Sequence, residues 1–147
     1  MVDTVRQILS KKGGVVWSVA PESTVYDALV LLADKDVGAL PVVSGRELVG
    51  MFSERDYARK VILMGRSSRE MLVREIMTSP VITVTPDETV EECMRVVTTH
   101  RIRHLPVLEG SNLAGVISIG DLVNSIISAQ AETIQQLNSY ISGSYPR

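Results

Sequence analysis

The chain is poor in the residues that staple, stack or span. A single cysteine, Cys93, in 147 residues excludes a disulfide within the chain and points to a cytoplasmic compartment. Aromatic residues are only 4% of the total, so platforms on which single-stranded bases could stack are scarce. Neither sign of charge dominates: 15 Lys and Arg face 17 Asp and Glu, for a formal net charge of -2. Such a balance argues against a phosphate backbone as the main partner, while leaving room for a local basic pocket. Long apolar runs are missing too. The longest is Ala28 to Ala33, far below the roughly 20 residues of a membrane span, and the N-terminal MVDTVRQILSKKGG has no signal-peptide apolar run. There is no P-loop, nucleophile elbow or His-Glu-x-x-His. His100, His104 and Cys93 fit no zinc spacing, and Cys93 beside Met94 lies on an apolar helical face. A metal-dependent or nucleic-acid-binding protein is therefore the weaker alternative, and the chain reads as a non-enzyme. What remains, 45% hydrophobic and 22% charged residues, is an ordered globular protein.

What is present is a repeat. Val16, Val19, Pro21, Thr24 and Val25 reappear at the same spacing as Val81, Val84, Pro86, Thr89 and Val90. Leu40-Pro41-Val42 reappears as Leu105-Pro106-Val107, and Gly45, Leu48, Gly50, Ser53 and Asp56 as Gly110, Leu113, Gly115, Ser118 and Asp121. Upstream, Val5-Arg6-Gln7-Ile8-Leu9 answers Val73-Arg74-Glu75-Ile76-Met77 after a short insertion at Lys11-Lys12-Gly13-Gly14. Internal self-similarity of this kind marks two copies of one unit. Each copy, of roughly 65 residues, buries too little surface to be more than marginally stable alone. The copies are expected to pack on each other about an approximate two-fold axis, which creates two equivalent clefts.

Within each unit, Val16–Val19 and Val81–Val84 read as short strands. Thr24 with Asp27, and Thr89 with Glu92, read as helix starts. Val25, Ala28, Leu29 and Leu32, and Val90, Cys93, Met94 and Val97, follow at helical spacing with one buried face. Two apolar runs around Gly45, and two around Gly110, read as hairpins. A second helix starts at Ser53 or Ser118. The fold class is α/β (α+β), a β-α-β-β-α unit used twice. Residues 1–67 form the first repeat with an N-terminal helix, 68–128 the second repeat, and 129–147 a C-terminal helical extension and tail.

The duplicated Gly50-x-x-Ser53-x-x-Asp56 and Gly115-x-x-Ser118-x-x-Asp121 carry the first chemical signal. Glycine after a strand permits close approach of a ligand. Serine at a helix start leaves backbone N–H groups free for phosphate. Aspartate one turn in can accept hydrogen bonds from two ribose hydroxyls. The same Ser-x-x-Asp is also a plain capping signal, and the two roles are compatible. Arg101-Ile102-Arg103-His104-Leu105-Pro106 is the second signal, since arginine donates two parallel bonds to phosphate. A solvated basic helix end is the competing reading.

The element order, with Leu-Pro-Val ahead of Gly-x-x-Ser-x-x-Asp in duplicate, closely resembles the cystathionine-β-synthase (CBS) domain pair, or Bateman module. The likeness runs from about Val5 to Val123, and Phe52 to Lys60 looks like the small stand-alone bacterial members. The resemblance implies a regulatory module that binds an adenine nucleotide (AMP, ADP, ATP or NAD) between the repeats and signals to an effector protein not identifiable from sequence. It implies phosphate-facing roles for Arg103 and His104 before Pro106, and an adenine slot at Val16, Trp17, Val81 and Ile82. Ser53, Asp56, Ser118 and Asp121 would serve the ribose and phosphate. Arg55 would reach a phosphate from the opposite repeat, whereas Arg59 and Lys60 read as a solvated face. The first repeat has Gly38 and Ala39 where the second has Arg103 and His104, so the two clefts are expected to be unequal, the one with the basic pair holding the more charged end of a ligand.

After Asp121 the chain reads as one helix roughly 30 Å long. Val123, Ile127, Gln130, Ile134, Leu137 and Ile141 recur at heptad spacing. The stripe either folds back on its own repeat or packs against a partner module. A homodimer is the preferred expectation, and CBS pairs commonly dimerise into flat discs.

Overall fold

The structure is a computed structural model that describes residues 3–13 and 15–141. Helix α1 (Val5–Lys12) comes first. The first repeat follows with α2 (Val25–Lys35), β1 (Ala39–Ser44), β2 (Glu47–Ser53) and α3 (Glu54–Tyr57), which runs on as a π-helical stretch, Ala58–Ile62. Helix α4 (Val73–Ile76) then leads into α5 (Val90–His100), β3 (His104–Glu109), β4 (Asn112–Ser118) and α6 (Ile119–Ile141).

Local chemistry explains most of these boundaries. The Thr24 hydroxyl accepts the Asp27 N–H at 3.1 Å, and the Thr89 hydroxyl accepts the Glu92 N–H at 3.1 Å. Both helices end on a left-handed residue, Asp36 at φ 53° and Arg101 at φ 54°. The hairpins turn at Gly45 and Gly110, with φ of 63° and 64°, angles that glycine adopts without a Cβ penalty. Their registers match: Pro41 lies opposite Met51 and Val42 opposite Gly50, as Pro106 lies opposite Val116 and Val107 opposite Gly115.

The expected first strands reduce to single contacts. Val19 makes one parallel bridge to Val42, and Val84 one to Val107. Val19 N–H donates to Pro41 O at 3.1 Å and Val84 N–H to Pro106 O at 3.1 Å. Val43 N–H and Leu108 N–H return bonds to Val19 O and Val84 O at 2.8 Å and 2.9 Å, but Pro41 and Pro106 lack the N–H that would carry the ladder on toward Trp17 and Ile82.

The two cores lie side by side, each completed by a segment from outside its own repeat. Val25, Ala28, Leu32, Leu40, Val42, Phe52 and Val61 pack with Met71, Val73 and Ile76 of the α4 segment, which opens the second repeat in the sequence division. Val84, Val90, Cys93, Val97, Leu105, Val107, Ile117 and Leu122 pack with Val5 and Ile8 of α1. Helix α1, which the sequence division places with the first repeat, packs in space against the core of the second. An eight-residue helix is too short to persist alone, so tertiary burial decides where it forms. Matched backbone bonds fix the exchange. Val5 and Arg6 N–H donate to Glu88 O and Pro86 O, both at 2.9 Å, while Val73 and Arg74 N–H donate to Ser23 O at 2.8 Å and Pro21 O at 3.0 Å.

This exchange also reassigns two glycines. A Cβ on Gly50 would stand 2.5 Å from Met77 Sδ, and one on Gly115 2.6 Å from Leu9 Cδ2. The close approach is made by a side chain of the exchanged segment, not by a ligand as the sequence reading had it.

Helix α6 is continuous across the 128/129 boundary drawn from sequence. Leu122 is buried, but Val123, Ile127, Ile134, Leu137 and Ile141 are 40% to 80% exposed. The stripe therefore does not fold back on its own repeat.

Replacing Ile8 by Ala is expected to destabilise the protein by about 2–5 kcal/mol, the range for a truncated core isoleucine. Ile76→Ala should do the same from the mirror position. Urea denaturation followed by circular dichroism measures both. A loss below about 0.5 kcal/mol for Ile8→Ala would mean that α1 does not complete the second core.

Candidate functional site

A cavity of about 630 Å³ opens between the repeats, within the range that holds small-molecule ligands. One wall is the β2–α3 junction, with Ser53, Glu54, Arg55 and Asp56, followed by Arg59 and Lys60 one turn on. Facing it are Thr78, Pro80, Val81 and Ile82 of the segment entering the second repeat. The starts of the two hairpins close the cavity, through Gly38 and Ala39 and through Arg101, Ile102, Arg103 and His104.

Asp56 is 9% exposed and carries four bonds. One carboxylate oxygen accepts the Ser53 N–H and hydroxyl, both at 3.0 Å. The other accepts the Thr78 hydroxyl and the Lys60 ammonium, both at 3.1 Å. The Ser53 hydroxyl accepts the Asp56 N–H at 3.1 Å. The segment is thus a capping box, and the same carboxylate lines the cavity.

Four guanidinium groups give the cavity its charge. Arg55, Arg59, Arg101 and Arg103 all line it, and among the described residues none has a carboxylate within 4.0 Å. Arg55 Nη1 reaches the opposite repeat, donating to Arg101 O at 3.4 Å. With Lys60 these guanidiniums outnumber the two carboxylates of the lining, Glu54 and Asp56, so the concave space attracts anions.

His104 is not one of those cations. Burial lowers its pKa from the ordinary 6.5, Lys12 and Arg103 lower it further, and Asp121 only partly opposes them. The ring is neutral at pH 7. It packs where a Gly38 side chain would have to go, 3.3 Å from that Cβ position. Gly38, Ala39, Arg103 and His104 all line the same cavity, so that set of four does not separate the two clefts as the sequence expectation supposed.

The structure brings Ser53, Arg55, Asp56, Val81, Ile82, Arg103 and His104 together. It leaves five expected residues outside this cavity. Val16 is half-buried elsewhere, and Trp17, 42% exposed, lies under the Lys35 ammonium, 4.0 Å from the ring centre. Pro106 is buried in β3, opposite Val116. Ser118 and Asp121 form the second capping box, with Ser118 N–H donating to Asp121 at 2.8 Å. Asp121 also meets the Lys12 ammonium at 2.8 Å. Burial alone would raise its pKa, but the bonds from Lys12 and Ser118 leave it lowered.

Sequence reasoning missed Thr78 and named Arg101 only within its basic stretch; Arg59 and Lys60, read as a solvated face, are exposed and half-exposed and line the cavity as well. The signal for the last two was present: Arg59 and Lys60 follow Arg55 and Asp56 by one helical turn and share their face. Cys93 is fully buried, and burial, then Glu88 and Glu92, push its thiol up to about 11, which disfavours the thiolate that metal binding or nucleophilic attack needs. Among the described residues no three His, Cys, Asp or Glu side chains converge as a metal site requires.

The CBS domain family pattern matches the chain twice, at residues 5–62 and 73–128. The mitochondrial CBS domain-containing protein CBSX3 of Arabidopsis thaliana is 43% identical over 141 residues, which covers 92% of this chain and 68% of the relative. The CBS domain-containing protein YhcV of Bacillus subtilis is 32% identical over 116 residues, 79% of this chain and 82% of that one. Among solved structures, a protein with CBS domains from Burkholderia ambifaria MC40-6, proposed to act in signal transduction, is 50% identical. It has a TM-score of 0.83 and covers 87% of this chain and 96% of its own.

His104 yields a pH prediction. Its folded pKa lies below 6.5, so the unfolded chain binds the proton more readily. Its contribution to stability is complete above pH 6.5 and is lost as pH falls through the lower folded value. Urea midpoints measured from pH 7.5 downward should decline below 6.5, and more shallowly in His104→Gln. Identical profiles for the two proteins would show that the ring is not held neutral.

Proposed function

The chain belongs to the CBS domain family, whose paired repeats are regulatory, ligand-binding modules, and on that premise we propose that it senses an adenine nucleotide. The ligand class is AMP, ADP, ATP or NAD, and the site is the cavity at Asp56. One observation carries this reading: four guanidiniums, with no carboxylate within 4.0 Å among the described residues, and one buried, hydrogen-bonded aspartate line a single 630 Å³ cavity between the repeats. Arginines suit phosphate oxygens, for which their planar fork is pre-organised. Asp56 suits a ribose diol, whose hydroxyls would take over the places of Thr78 and Lys60 on one carboxylate oxygen. Val81, Ile82 and Ile102 supply an apolar wall for the base. The same cations argue for a phosphorylated ligand over a sulfonium nucleoside.

The module acts by binding rather than by chemistry. Ligand occupancy would be read by an effector protein, because both repeats contribute walls and a ligand that joins them changes their relative preference. A cytoplasmic setting is part of the reading, supported by the single free thiol; among the described residues no helix is long and apolar enough to cross a membrane. The mitochondrial name of the plant relative is a statement about that protein.

Assembly as a homodimer is the second part of the proposal. The exposed α6 stripe has the seam spacing of a coiled coil, with Gln130 as its single polar member to fix register. Fewer than three heptads need a second copy's larger surface to be stable.

Calorimetry with AMP, ADP, ATP and NAD tests the ligand reading. At least one should bind, and Asp56→Ala should weaken it by about tenfold or more, as loss of charged hydrogen bonds does. Guanosine counterparts binding equally well, or an Asp56→Ala variant of unchanged affinity, would remove the assignment. Light scattering tests the assembly. The full chain should be a dimer, and a chain ending after Ser128 should be monomeric or form a dimer at least tenfold weaker; a monomeric full chain would contradict it.

A further inference from the structure

The repeat lets each feature of the Asp56 cavity be compared with its counterpart beside Asp121. Arg101 and Asp36 are equivalent: both end the first long helix of their repeat in the left-handed conformation, at φ 54° and 53°. By the same correspondence Arg55 answers Gly120, Arg59 answers Asn124 and Arg103 answers Gly38. Gly38 itself lines the Asp56 cavity, so the guanidiniums that distinguish the two sides are Arg55, Arg59 and Arg101, whose counterparts are a glycine, an amide and a carboxylate. The Asp121 side therefore lacks those three arginines.

The cation that meets Asp121 comes from elsewhere. Lys12, the last residue of α1, donates at 2.8 Å to Asp121 Oδ2 and at 2.9 Å to Val116 O. The equivalent points in the first repeat are Asp56 and Met51. There they are met by Thr78, whose hydroxyl donates to Asp56 at 3.1 Å and whose N–H donates to Met51 O at 2.8 Å. Lys60 also meets Asp56, at 3.1 Å, but from Asp56's own helix and with its other bond on Ile76 O, whereas at Asp121 one ammonium, that of Lys12 from a separate helix, fills both equivalent positions. It reaches there because α1 is held on the second core by Val5 and Ile8.

We infer that Lys12 is an internal occupant that closes the Asp121 cleft, so that each chain takes up one nucleotide, in the Asp56 cavity, and not two. This rests on the nucleotide reading above and adds which of two symmetric positions is used and what excludes the other. Asp121 is then a structural anchor for α1 despite its matching motif.

Calorimetry on the full-length protein decides it. ATP should bind wild type with one equivalent per chain. Asp56→Asn should weaken binding at least tenfold, and Asp121→Asn should leave affinity within about twofold. A second measurement isolates Lys12 with adenosine, which has no phosphate to be disfavoured by the missing arginines. Wild type should take one equivalent, and Lys12→Met should take two. Two equivalents of ATP on wild type, equal losses for Asp56→Asn and Asp121→Asn, or a single adenosine equivalent on Lys12→Met would each overturn the inference while leaving nucleotide binding intact. Failure of every adenine compound to bind overturns the nucleotide reading itself, and this inference with it.

Discussion

The reciprocal exchange of short helical segments is the constraint on which the rest of the molecule depends. Helix α1 completes the core of the repeat that lies further along the chain, and α4 completes the core of the repeat already passed. Neither repeat buries its apolar face without a piece that flanks the other, so the two halves are interlocked rather than merely apposed. The sites inherit their geometry from this. Because Met77 seats on Gly50, the next residue, Thr78, arrives at Asp56, and the chain then runs along the cavity wall through Pro80, Val81 and Ile82. Because Leu9 seats on Gly115, Lys12 arrives one turn later at Asp121. One packing device applied twice thus brings a hydroxyl to one carboxylate, beside the Lys60 ammonium of its own helix, and an ammonium to the other.

That difference matters because the two repeats are otherwise alike in backbone. They share hairpin register, the irregularity after Val42 and Val107, cap residues and left-handed helix ends. Symmetry in the backbone and asymmetry in the side chains are what a module needs to present two clefts and use them differently. The four guanidiniums of the Asp56 cavity are left without carboxylate partners among the described residues, at a cost in self-repulsion that an anionic ligand would relieve. A neutral His104 beside Gly38 keeps that cost from growing and lets the hairpin starts approach closely.

Much of the fold was legible in the sequence because it is encoded locally. Thr24 and Thr89 cap helices, Gly45 and Gly110 turn hairpins, and the apolar spacing of α2 and α5 names their buried faces. The part that was not legible is set by contacts distant in sequence. Val16–Val19 has the composition of a strand, but a proline on its neighbour withholds the bond that would carry the ladder past Val19. Gly50 and Gly115 advertise a close approach without saying by what. Nothing local in Val5–Lys12 says which core it joins. The site was read in the same proportion: Ser53, Arg55, Asp56, Val81, Ile82, Arg103 and His104 share a cavity, while Arg101 and Thr78 enter it through a left-handed helix end and an exchanged segment that only the fold reveals. The exposed seam on α6 was legible from its period alone, and its exposure removes the fold-back alternative.

The account stands or falls on where a nucleotide sits. A crystal structure of the full chain grown with ATP would locate it directly. The account predicts one nucleotide per chain in the interrepeat cavity, with a ribose hydroxyl within about 3.2 Å of an Asp56 carboxylate oxygen, phosphate oxygens against the arginines, and Lys12 still on Asp121. A nucleotide bound at Asp121, with the arginine-lined cavity holding none, would contradict it.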